Sequence, residues 1–224
     1  MFSKQPSQGE SKISKAVIIC NGSIEDYSYY KKHLEAAQFI ICADGGATHA
    51  LKFGIKPDVL LGDFDSIPKG DFDCLLEQGV EIVKYPSEKD MTDAEIAAEL
   101  AMEKGYDEIV FIGATGTRLD HSLSNIMMLK SLLERGVKGI IVNEHNEVMV
   151  IDKHVTLIRE ENYKVTLLPL TEIVEGVSTK GLYYELKDAT LKMGSSLGVS
   201  NEFSEDAAEV TIKKGLMLVI KARD

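Results

Sequence analysis

The order of apolar segments along the chain is the feature that most limits its fold. From residue 16 to about 143, short runs rich in β-branched residues alternate with segments of helical period. Helical segments of this length between strands are typical of βαβ units, in which consecutive strands lie parallel. The expected strands are 16–20, 39–43, 58–62, 80–85, 108–113 and 139–143, and the expected helices are 26–37, 46–54, 71–79, 92–105 and 119–136.

The apolar period changes after Asn143. The helical pattern disappears there, and strand-like runs follow at spacings suited to an antiparallel sandwich or barrel. These runs are 147–152, 154–159, 163–170, 182–186, 189–194, 208–213 and 215–222. We therefore expect an α/β fold whose N-terminal part is a largely parallel sheet flanked by helices, followed by an all-β sandwich domain. The expected organisation is a disordered N-terminus at 1–14, an α/β domain at 15–146 and the β-sandwich domain at 147–224.

Composition narrows the classes of function. The chain has 224 residues, of which 44% are hydrophobic, and a formal net charge of −11. This acidic balance argues against a nucleic-acid binder or an anionic-membrane binder, because phosphate backbones and anionic lipids need a basic surface. No run approaches 18 uninterrupted apolar residues, so we expect no membrane span. The three cysteines form no CxxC pair, which fits a reducing, cytoplasmic location.

Two aspartates stand one residue apart in the run LLGDFDSI. If 58–62 is a buried parallel strand, Asp63 and Asp65 follow its carboxyl end, where open α/β sheets place their ligands. In extended backbone two such residues face the same way about 7 Å apart, a span that hydrated Mg²⁺ can bridge. The alternative is a turn in which these side chains accept hydrogen bonds from local amides.

A third carboxylate, Asp93, falls in the first turn of the fourth expected helix. Its segment, SEKDMTDAEIAAEL, also follows a strand, so we expect Asp93 at the same edge as Asp63 and Asp65. The alternative is helix capping, because Asp90 or Thr92 can cap this helix and an acidic first turn favours the helix dipole.

A glycine-rich turn, FIGATGTRLDHSLSN, lies between a strand and a helix. Its amides can hold a phosphate group, although Gly113 and Gly116 alone would also suit an ordinary turn. Arg118 and, from the preceding segment, Lys89 supply positive charge for an anionic substrate. His121 is either a structural hydrogen-bonding group or a base, and the first role is the more common one in a helix's first turn.

Five motifs together resemble the thiamine pyrophosphokinase family: CADGGATHAL, LLGDFDSI, EKDMTDAEIA, GATGTRLDHSLSN and SSLGVSNEF. Their order and spacing match, and the resemblance covers nearly the whole chain after residue 15. It implies Mg²⁺-dependent transfer of a pyrophosphoryl group from ATP to thiamine, giving thiamine diphosphate and AMP. It also implies a nucleotide-binding first domain, a thiamine-binding second domain and a homodimer. In that dimer the thiamine site lies between the first domain of one subunit and the second domain of its partner.

The resemblance also assigns roles to residues. Asp63, Asp65 and Asp93 are implied as catalytic residues and as Mg²⁺ ligands. Ser200 and Asn201 are implied at the thiamine pocket, although a tight turn between strands would use the same residue types. The residues implied at the nucleotide are Asp44, Gly45, Gly46, Lys89, Thr92, Gly116, Arg118, Asp120 and His121.

The chain departs from the family pattern in two places. It has no tryptophan, whereas some relatives carry one near the thiamine rings, so any stacking partner must be Tyr or Phe. Lys89 stands where other members carry glutamine, which adds positive charge near the phosphates and leaves nucleotide preference open.

Two rival functions remain open at this point. A haloacid-dehalogenase-like phosphatase would use Asp63 as the nucleophile of a DxD motif, but such enzymes open the chain with that strand. A non-catalytic nucleotide or thiamine sensor on the same fold is the other rival, since a fold does not fix a function. Binding alone, however, rarely requires three converging carboxylates.

Overall fold

The predicted alternation of strands and helices is present in the first part of the chain. The computed structural model describes residues 13–224, so the predicted disordered segment 1–14 lies outside the described residues apart from Ile13 and Ser14. The elements of this part are β1 Lys15–Ile19, α1 Lys31–Glu35, β2 Phe39–Ala43, α2 Gly46–Phe53, β3 Val59–Gly62, α3 Lys69–Glu77, β4 Glu81–Lys84, α4 Asp93–Glu103, β5 Glu108–Ile112, α5 Leu119–Glu134 and β6 Lys138–Val142.

These six strands form a parallel sheet in the order β4-β3-β2-β1-β5-β6. The central strand β1 is covered on both faces: Val17 and Ile19 pack into one core, and Ala16 and Ile18 pack into the other. Burial on both faces explains why the strand sequences are continuous apolar runs without alternation. The predicted α/β architecture is therefore confirmed.

Helix α4 shows how the sequence places an element next to the sheet edge. The Thr92 hydroxyl accepts a hydrogen bond from the Glu95 amide at 3.2 Å, so Thr92, and not Asp90, caps the helix. Ala97 and Ala101 are fully buried on its inner face. Their small side chains let the helix lie close to the strands, and Asp93 becomes its first residue.

Helix α1 is shorter than predicted. The sequence predicts a helix over 26–37, but only Lys31–Glu35 is helical. The Asp26 carboxylate accepts hydrogen bonds from the Ser28 amide at 2.9 Å and from the Ser28 hydroxyl at 2.5 Å. This local turn competes with the start of a helix, because the Ser28 amide and hydroxyl are already bonded to the Asp26 side chain.

The last third of the chain adds strands to the same sheet and builds a second one. Its strands are β7 Asn146–Ile151, β8 His154–Ile158, β9 Lys164–Pro169, β10 Ile173–Lys180, β11 Ala189–Lys192, β12 Asn201–Glu202, β13 Ala207–Thr211 and β14 Met217–Ala222. Beyond β6 the first sheet continues as β7-β14-β9-β12, with every pairing antiparallel, and reaches ten strands. The second sheet has the order β11-β10-β13-β8.

The two sheets share one core. Met149 and Val219 from the long sheet belong to the same buried cluster as Val174 and Val210 from the second sheet, and that cluster also contains Val17 of β1. The predicted β-sandwich is confirmed. One of its two layers is an extension of the parallel sheet, which the sequence does not reveal.

One strand of the sandwich differs from the prediction. The run 182–186 is not a strand: it makes a single bridge, Leu182 to Phe203, and Tyr183 and Tyr184 are each 69% exposed. The sequence analysis missed β10. A bulge between Val174 and Val177, with Gly176 at φ +70°, breaks its alternation of apolar and polar residues.

None of the described helices has the length and apolar character that a membrane span requires.

The shared core predicts that the two parts of the chain unfold together. Met149 is 3% exposed and pairs across the seam with Ile140 on β6 and Val219 on β14. Met149→Ala is expected to lower the free energy of unfolding by about 2–5 kcal/mol, because it opens a cavity in this core. Urea denaturation followed by circular dichroism and by tyrosine fluorescence should give one coincident transition. Two separated transitions would show that the halves are independent.

Candidate active site

A cleft of about 680 Å³ opens at the carboxyl ends of β1, β2, β3 and β5. Strand β1 lies between β2 and β5, so the chain leaves it toward one side of the sheet and later returns on the other side. Loops diverge at such a switch point and leave a crevice, which is the usual ligand site of an open α/β sheet. The segment that leads into α4 forms a further wall.

Three carboxylates meet in this cleft. Asp44 follows β2, and Asp63 and Asp65 follow β3; one carboxylate oxygen from each lies within 4.8 Å of the others. The parallel pairing of β2 with β3 aligns the two strand ends, and the Asp44 amide donates a hydrogen bond to the Leu61 carbonyl at 2.7 Å. The structure thus adds Asp44 to the pair that the sequence predicts.

The backbone around these carboxylates is strained. Asp44 has φ +44° and Phe64 has φ +69°, both in the left-handed region that side chains disfavour. The extended geometry expected for 63–65 is therefore wrong: the chain turns at Phe64, whose ring packs 5.2 Å from the Phe72 ring. Gly62 has φ +145°, and a Cβ there would lie 3.0 Å from the Asp44 Cβ.

The alternative interpretation of this segment, a local turn, is also partly correct. The Asp65 amide donates to the Asp63 carboxylate at 3.2 Å, and the Ser66 hydroxyl donates to Asp65 at 2.9 Å. The Ser87 hydroxyl, followed by the Asp65 amide, holds the pKa of Asp63 below its usual value. Asp63 is therefore an anion at neutral pH, and the local turn keeps its carboxylate in the charge state that a metal ligand needs.

Asp44 carries the clearest sign of a missing partner. Its Oδ1 atom is buried and has no hydrogen-bond partner among the described residues. Burial raises the pKa of Asp44, and the nearby carboxylates of Asp93 and Asp63 raise it further. A buried carboxylate oxygen normally has a partner. Three converging carboxylates with one unpartnered oxygen match the hard oxygen ligands that Mg²⁺ takes.

Asp93 lines the same cleft but stands apart from the three-carboxylate cluster. It is the first residue of α4, and its carboxylate forms an ion pair with Lys89 at 2.8 Å. Both side chains are partly buried, at 26% and 15% exposure. In this structure Lys89 neutralises Asp93.

The glycine-rich segment 113–118 forms the opposite wall. The Ser122 hydroxyl accepts a hydrogen bond from the Gly116 amide at 3.2 Å, and the Asn125 side chain donates to the Ala114 carbonyl at 2.7 Å. Helix α5 therefore fixes the segment from below. A Cβ at Gly113 would lie 2.6 Å from the Cys20 carbonyl oxygen, so the close approach to β1 requires glycine.

Arg118 lies at the mouth of the cleft and is already paired. Its Nη2 atom donates to the Asp120 carboxylate at 2.6 Å and its Nε atom donates at 3.2 Å, with both side chains exposed. The Arg118 hydrogen bonds lower the pKa of Asp120 to about 2. Both cations that the sequence offers to an anionic ligand, Lys89 and Arg118, are thus ion-paired.

The structure brings together some of the residues implied at the nucleotide. Those that line the cleft are Asp44, Thr92, Gly116, Arg118 and His121. Those that lie outside its lining are Gly45, Gly46, Lys89 and Asp120. A Cβ at Gly45 would lie 2.3 Å from the Asn21 side chain, and one at Gly46 would lie 2.0 Å from the Ile19 carbonyl oxygen. The two glycines therefore let α2 begin directly against β1 and the loop that follows it.

Ser200 and Asn201 do not line this cleft. Ser200 has φ +58°, and its amide donates to the Thr166 hydroxyl at 3.0 Å. The Asn201 side chain accepts from the Tyr184 amide at 3.0 Å and donates to the Tyr184 carbonyl at 2.8 Å. The turn interpretation of this segment thus has direct support, and Asn201 fixes the backbone beneath an exposed tyrosine.

The sequence analysis missed one wall of the cleft, formed by Asn21, Gly22 and Ser23. A signal was present, because the polar run NGS follows the first strand at the same sheet edge as the three motifs. The strand order gives this run its importance, since it places β1 between the strands that carry the other loops.

Two family models match the chain. Residues 30–141 match the family model described as "Thiamin pyrophosphokinase, catalytic domain". Residues 153–217 match "Thiamin pyrophosphokinase, vitamin B1 binding domain". Nothing in these matches supports the haloacid-dehalogenase-like phosphatase or the non-catalytic sensor.

Similar sequences and structures carry the same name. The thiamine pyrophosphokinase of Bacillus subtilis is 29% identical over 186 residues, which cover 82% of this chain and 87% of that protein. Its crystal structure superposes with a TM-score of 0.86 at 26% identity, covering 94% of this chain and all of the other. The enzyme from Geobacillus thermodenitrificans gives a TM-score of 0.81 at 28% identity, covering 94% and 98%.

The family models match both halves of the chain, and their matches include β3, α4 and the whole of α5 around the cleft. The chain therefore belongs to the thiamine pyrophosphokinase family of enzymes, which form thiamine diphosphate.

Proposed function

We propose that the cleft binds ATP together with Mg²⁺ and transfers the pyrophosphoryl group of ATP to thiamine, releasing AMP. The observation that carries this proposal is the convergence of Asp44, Asp63 and Asp65, with one buried oxygen unpartnered, opposite a glycine-rich segment before a helix. Phosphoryl-type transfer depends on positioning and charge neutralisation more than on covalent catalysis. An acidic metal site beside the backbone amides of the segment 113–118 supplies both.

Asp63, Asp65 and Asp93 are the proposed metal ligands, and the structure supports the addition of Asp44. When bound, Mg²⁺ would neutralise charge on the ATP phosphates. Engagement of Asp93 with the metal would release Lys89, which stands 2.8 Å away and would then face an anionic ligand. Lys89 would neutralise the charge of Asp93 until the nucleotide binds.

The remaining cleft residues hold the nucleotide. Backbone amides of the segment 113–118 are the proposed phosphate ligands, because they lie at the N-terminus of α5. Thr92, Gly116, Arg118 and His121 line the same space. Cys20 also borders the cleft, but burial raises the pKa of its thiol to about 12, so it is not a nucleophile there.

The proposed reaction is a direct displacement. The hydroxyl oxygen of thiamine attacks the β-phosphorus of ATP, and the bond from that phosphorus to the oxygen bridging to the α-phosphate breaks. The hydroxyl proton passes to a carboxylate of the cleft, and AMP leaves as a phosphate anion that needs no proton. The work of the chain is to hold both reactants in line.

The thiamine site is proposed at the segment around Ser200 and Asn201. Next to it the rings of Tyr183 and Tyr184 are each 69% exposed, with centroids 4.9 Å apart in an edge-to-face arrangement. The two hydrogen bonds with the Asn201 side chain hold the Tyr184 backbone in place. An exposed aromatic ring suits the cationic thiazolium of thiamine, and it offers a stacking partner in a chain without tryptophan.

We also propose a homodimer with a shared active site. Within one chain, the segment around Asn201 does not line the carboxylate cleft, so a second copy would have to bring thiamine to the nucleotide. We further propose that the enzyme works in the cytoplasm, since Cys20, Cys42 and Cys74 are free thiols and two of them are buried.

The first prediction from the proposed function concerns the carboxylates. Asp63→Asn, Asp65→Asn and Asp93→Asn are each expected to lower kcat by roughly two orders of magnitude or more, because each removes charge from the metal site. Melting temperature should barely change. Asp73→Asn, on the exposed face of α3, is the matched control and should keep normal activity. Variants that unfold yet keep full activity per folded molecule would assign these residues to turn formation and capping alone.

A second prediction concerns the reaction itself. Incubation with ATP, Mg²⁺ and thiamine should give AMP and thiamine diphosphate in equal amounts, measured by chromatography. Titration with ATP in EDTA should show much weaker binding, because the phosphates then meet several carboxylates whose neighbouring cations are already paired. Formation of ADP, or equal ATP affinity with and without Mg²⁺, would refute this mechanism.

A third prediction concerns the dimer. Asp93→Asn and Asn201→Arg homodimers should each be nearly inactive. Co-expressed chains that assemble at random should recover about a quarter of the wild-type activity, because half of the dimers are mixed and each mixed dimer has one intact site. Two affinity tags would isolate the mixed dimers. Their inactivity would show that each site is built within one chain.

A further inference from the structure

We propose that His49 and Glu144 are positioning residues that hold the β1 loop, residues 20–26, as a fixed wall of the nucleotide cleft. This inference rests on the proposed nucleotide site. Asn21, Gly22 and Ser23 of the loop line the cleft, whereas neither His49 nor Glu144 does. The two residues would act on ATP only through the loop.

His49 holds the cleft side of the loop. Its Nε2 atom lies 2.9 Å from the Gly22 carbonyl oxygen, and its Nδ1 atom lies 2.7 Å from the Tyr27 hydroxyl. A carbonyl oxygen only accepts, so Nε2 carries the proton and Nδ1 accepts from Tyr27. Burial lowers the pKa of His49, which keeps the ring neutral and this pattern intact at pH 7.

The position of Gly22 is transmitted to the phosphate-binding wall. The Gly22 amide donates to the Gly113 carbonyl at 2.7 Å, and the Ser23 amide donates to the Thr115 carbonyl at 3.0 Å. A Cβ on Gly22 would lie 2.2 Å from the Thr115 carbonyl oxygen. The β1 loop and the segment 113–118 are therefore in close backbone contact at Gly22, so displacement of Gly22 would move the segment 113–118.

Glu144 holds the other side of the loop. It lies in the connection after β6 and is 8% exposed. Its Oε1 atom accepts hydrogen bonds from the amides of Glu25 at 2.8 Å and Asp26 at 2.9 Å. Its carbonyl oxygen accepts from Arg223 Nε at 2.9 Å and lies 3.3 Å from the Tyr163 hydroxyl. These contacts with the β-sandwich fix Glu144, and Glu144 in turn restrains the loop through its side chain.

The consequence is a loop that is ordered before ATP binds. Ordering a segment on binding costs conformational entropy, and a preformed wall avoids that cost. Loss of either restraint should therefore weaken ATP binding while leaving the chemical step of bound ATP nearly unchanged.

The test compares alanine variants with variants that keep the relevant atoms. His49→Ala and Glu144→Ala should each raise the Kd and the KM for ATP with Mg²⁺ by about tenfold, on the order of one lost hydrogen bond. Both kcat and the KM for thiamine should stay within about threefold. Glu144→Gln keeps the Oε1 acceptor and His49→Gln keeps a side-chain donor, so each should recover most of the loss. Amide exchange at 22–26 should speed up in the alanine variants.

Glu108→Ala is the matched control. Glu108 is also a buried carboxylate, at 6% exposure, and it pairs with Lys15 and Lys138. It lies at the start of β5, so it is at the opposite end of the strands from the cleft. This variant should lose stability but bind ATP normally. Equal loss of ATP affinity in Glu108→Ala and in Glu144→Ala would reduce the effect to stability and overturn the inference.

Other outcomes separate the inference from the proposed function. Unchanged ATP affinity and unchanged exchange at 22–26 in both alanine variants, with an active wild type, would overturn the inference alone. A wild type that binds no ATP would overturn the proposed nucleotide site, and with it the inference. If an alanine variant fails to fold, a variant of similar size that lacks the hydrogen-bonding atoms, His49→Phe or Glu144→Met, decides the matter. Accelerated exchange at 22–26 together with weakened ATP binding, at unchanged melting temperature, supports the inference, and ATP binding that falls only with the folded fraction contradicts it.

Discussion

The pairing of β1 with β2 on one side and with β5 on the other is the constraint on which the site depends. Parallel strands end at the same edge, so this order brings three loops together that are far apart in sequence. Each loop contributes one chemical type: a polar wall after β1, a carboxylate after β2 and backbone amides after β5. The pair Asp63 and Asp65 joins them because β3 continues the same edge.

A second constraint is electrostatic. The cleft collects four carboxylates, and its two nearby cations, Lys89 and Arg118, are already paired with Asp93 and Asp120. A polyanionic nucleotide cannot enter such a space favourably unless a further positive charge comes with it. Left-handed backbone at Asp44 and Phe64 shows that the fold tolerates local strain to keep the carboxylates close. Under the proposed function, this charge balance favours a metal-bound nucleotide over a free one.

Much of this could be predicted from the sequence, because βαβ alternation and the carboxyl-edge rule depend only on local pattern. Asp63, Asp65 and the segment 113–118 follow from those two principles. Asp44 reached the predictions through family resemblance alone, since its contact with the other carboxylates depends on strand pairing and a left-handed turn. Two features were not predicted at all: β10, because a bulge at Gly176 hides its period, and the continuity of the long sheet, because it depends on tertiary pairing of β6 with β7.

The hydrogen bond from the Gly22 amide to the Gly113 carbonyl also has a consequence for the chemical lifetime of the protein. Asparagine followed by glycine ages readily in flexible chains: the glycine amide nitrogen attacks the asparagine side chain, ammonia is lost and isoaspartate accumulates. Here the attacking nitrogen of Gly22 is engaged at 2.7 Å, and Asn21 packs against Gly45. The hydrogen bond that joins the two walls of the cleft therefore also protects Asn21 from deamidation. The side chain at this position of the wall stays uncharged as the protein ages.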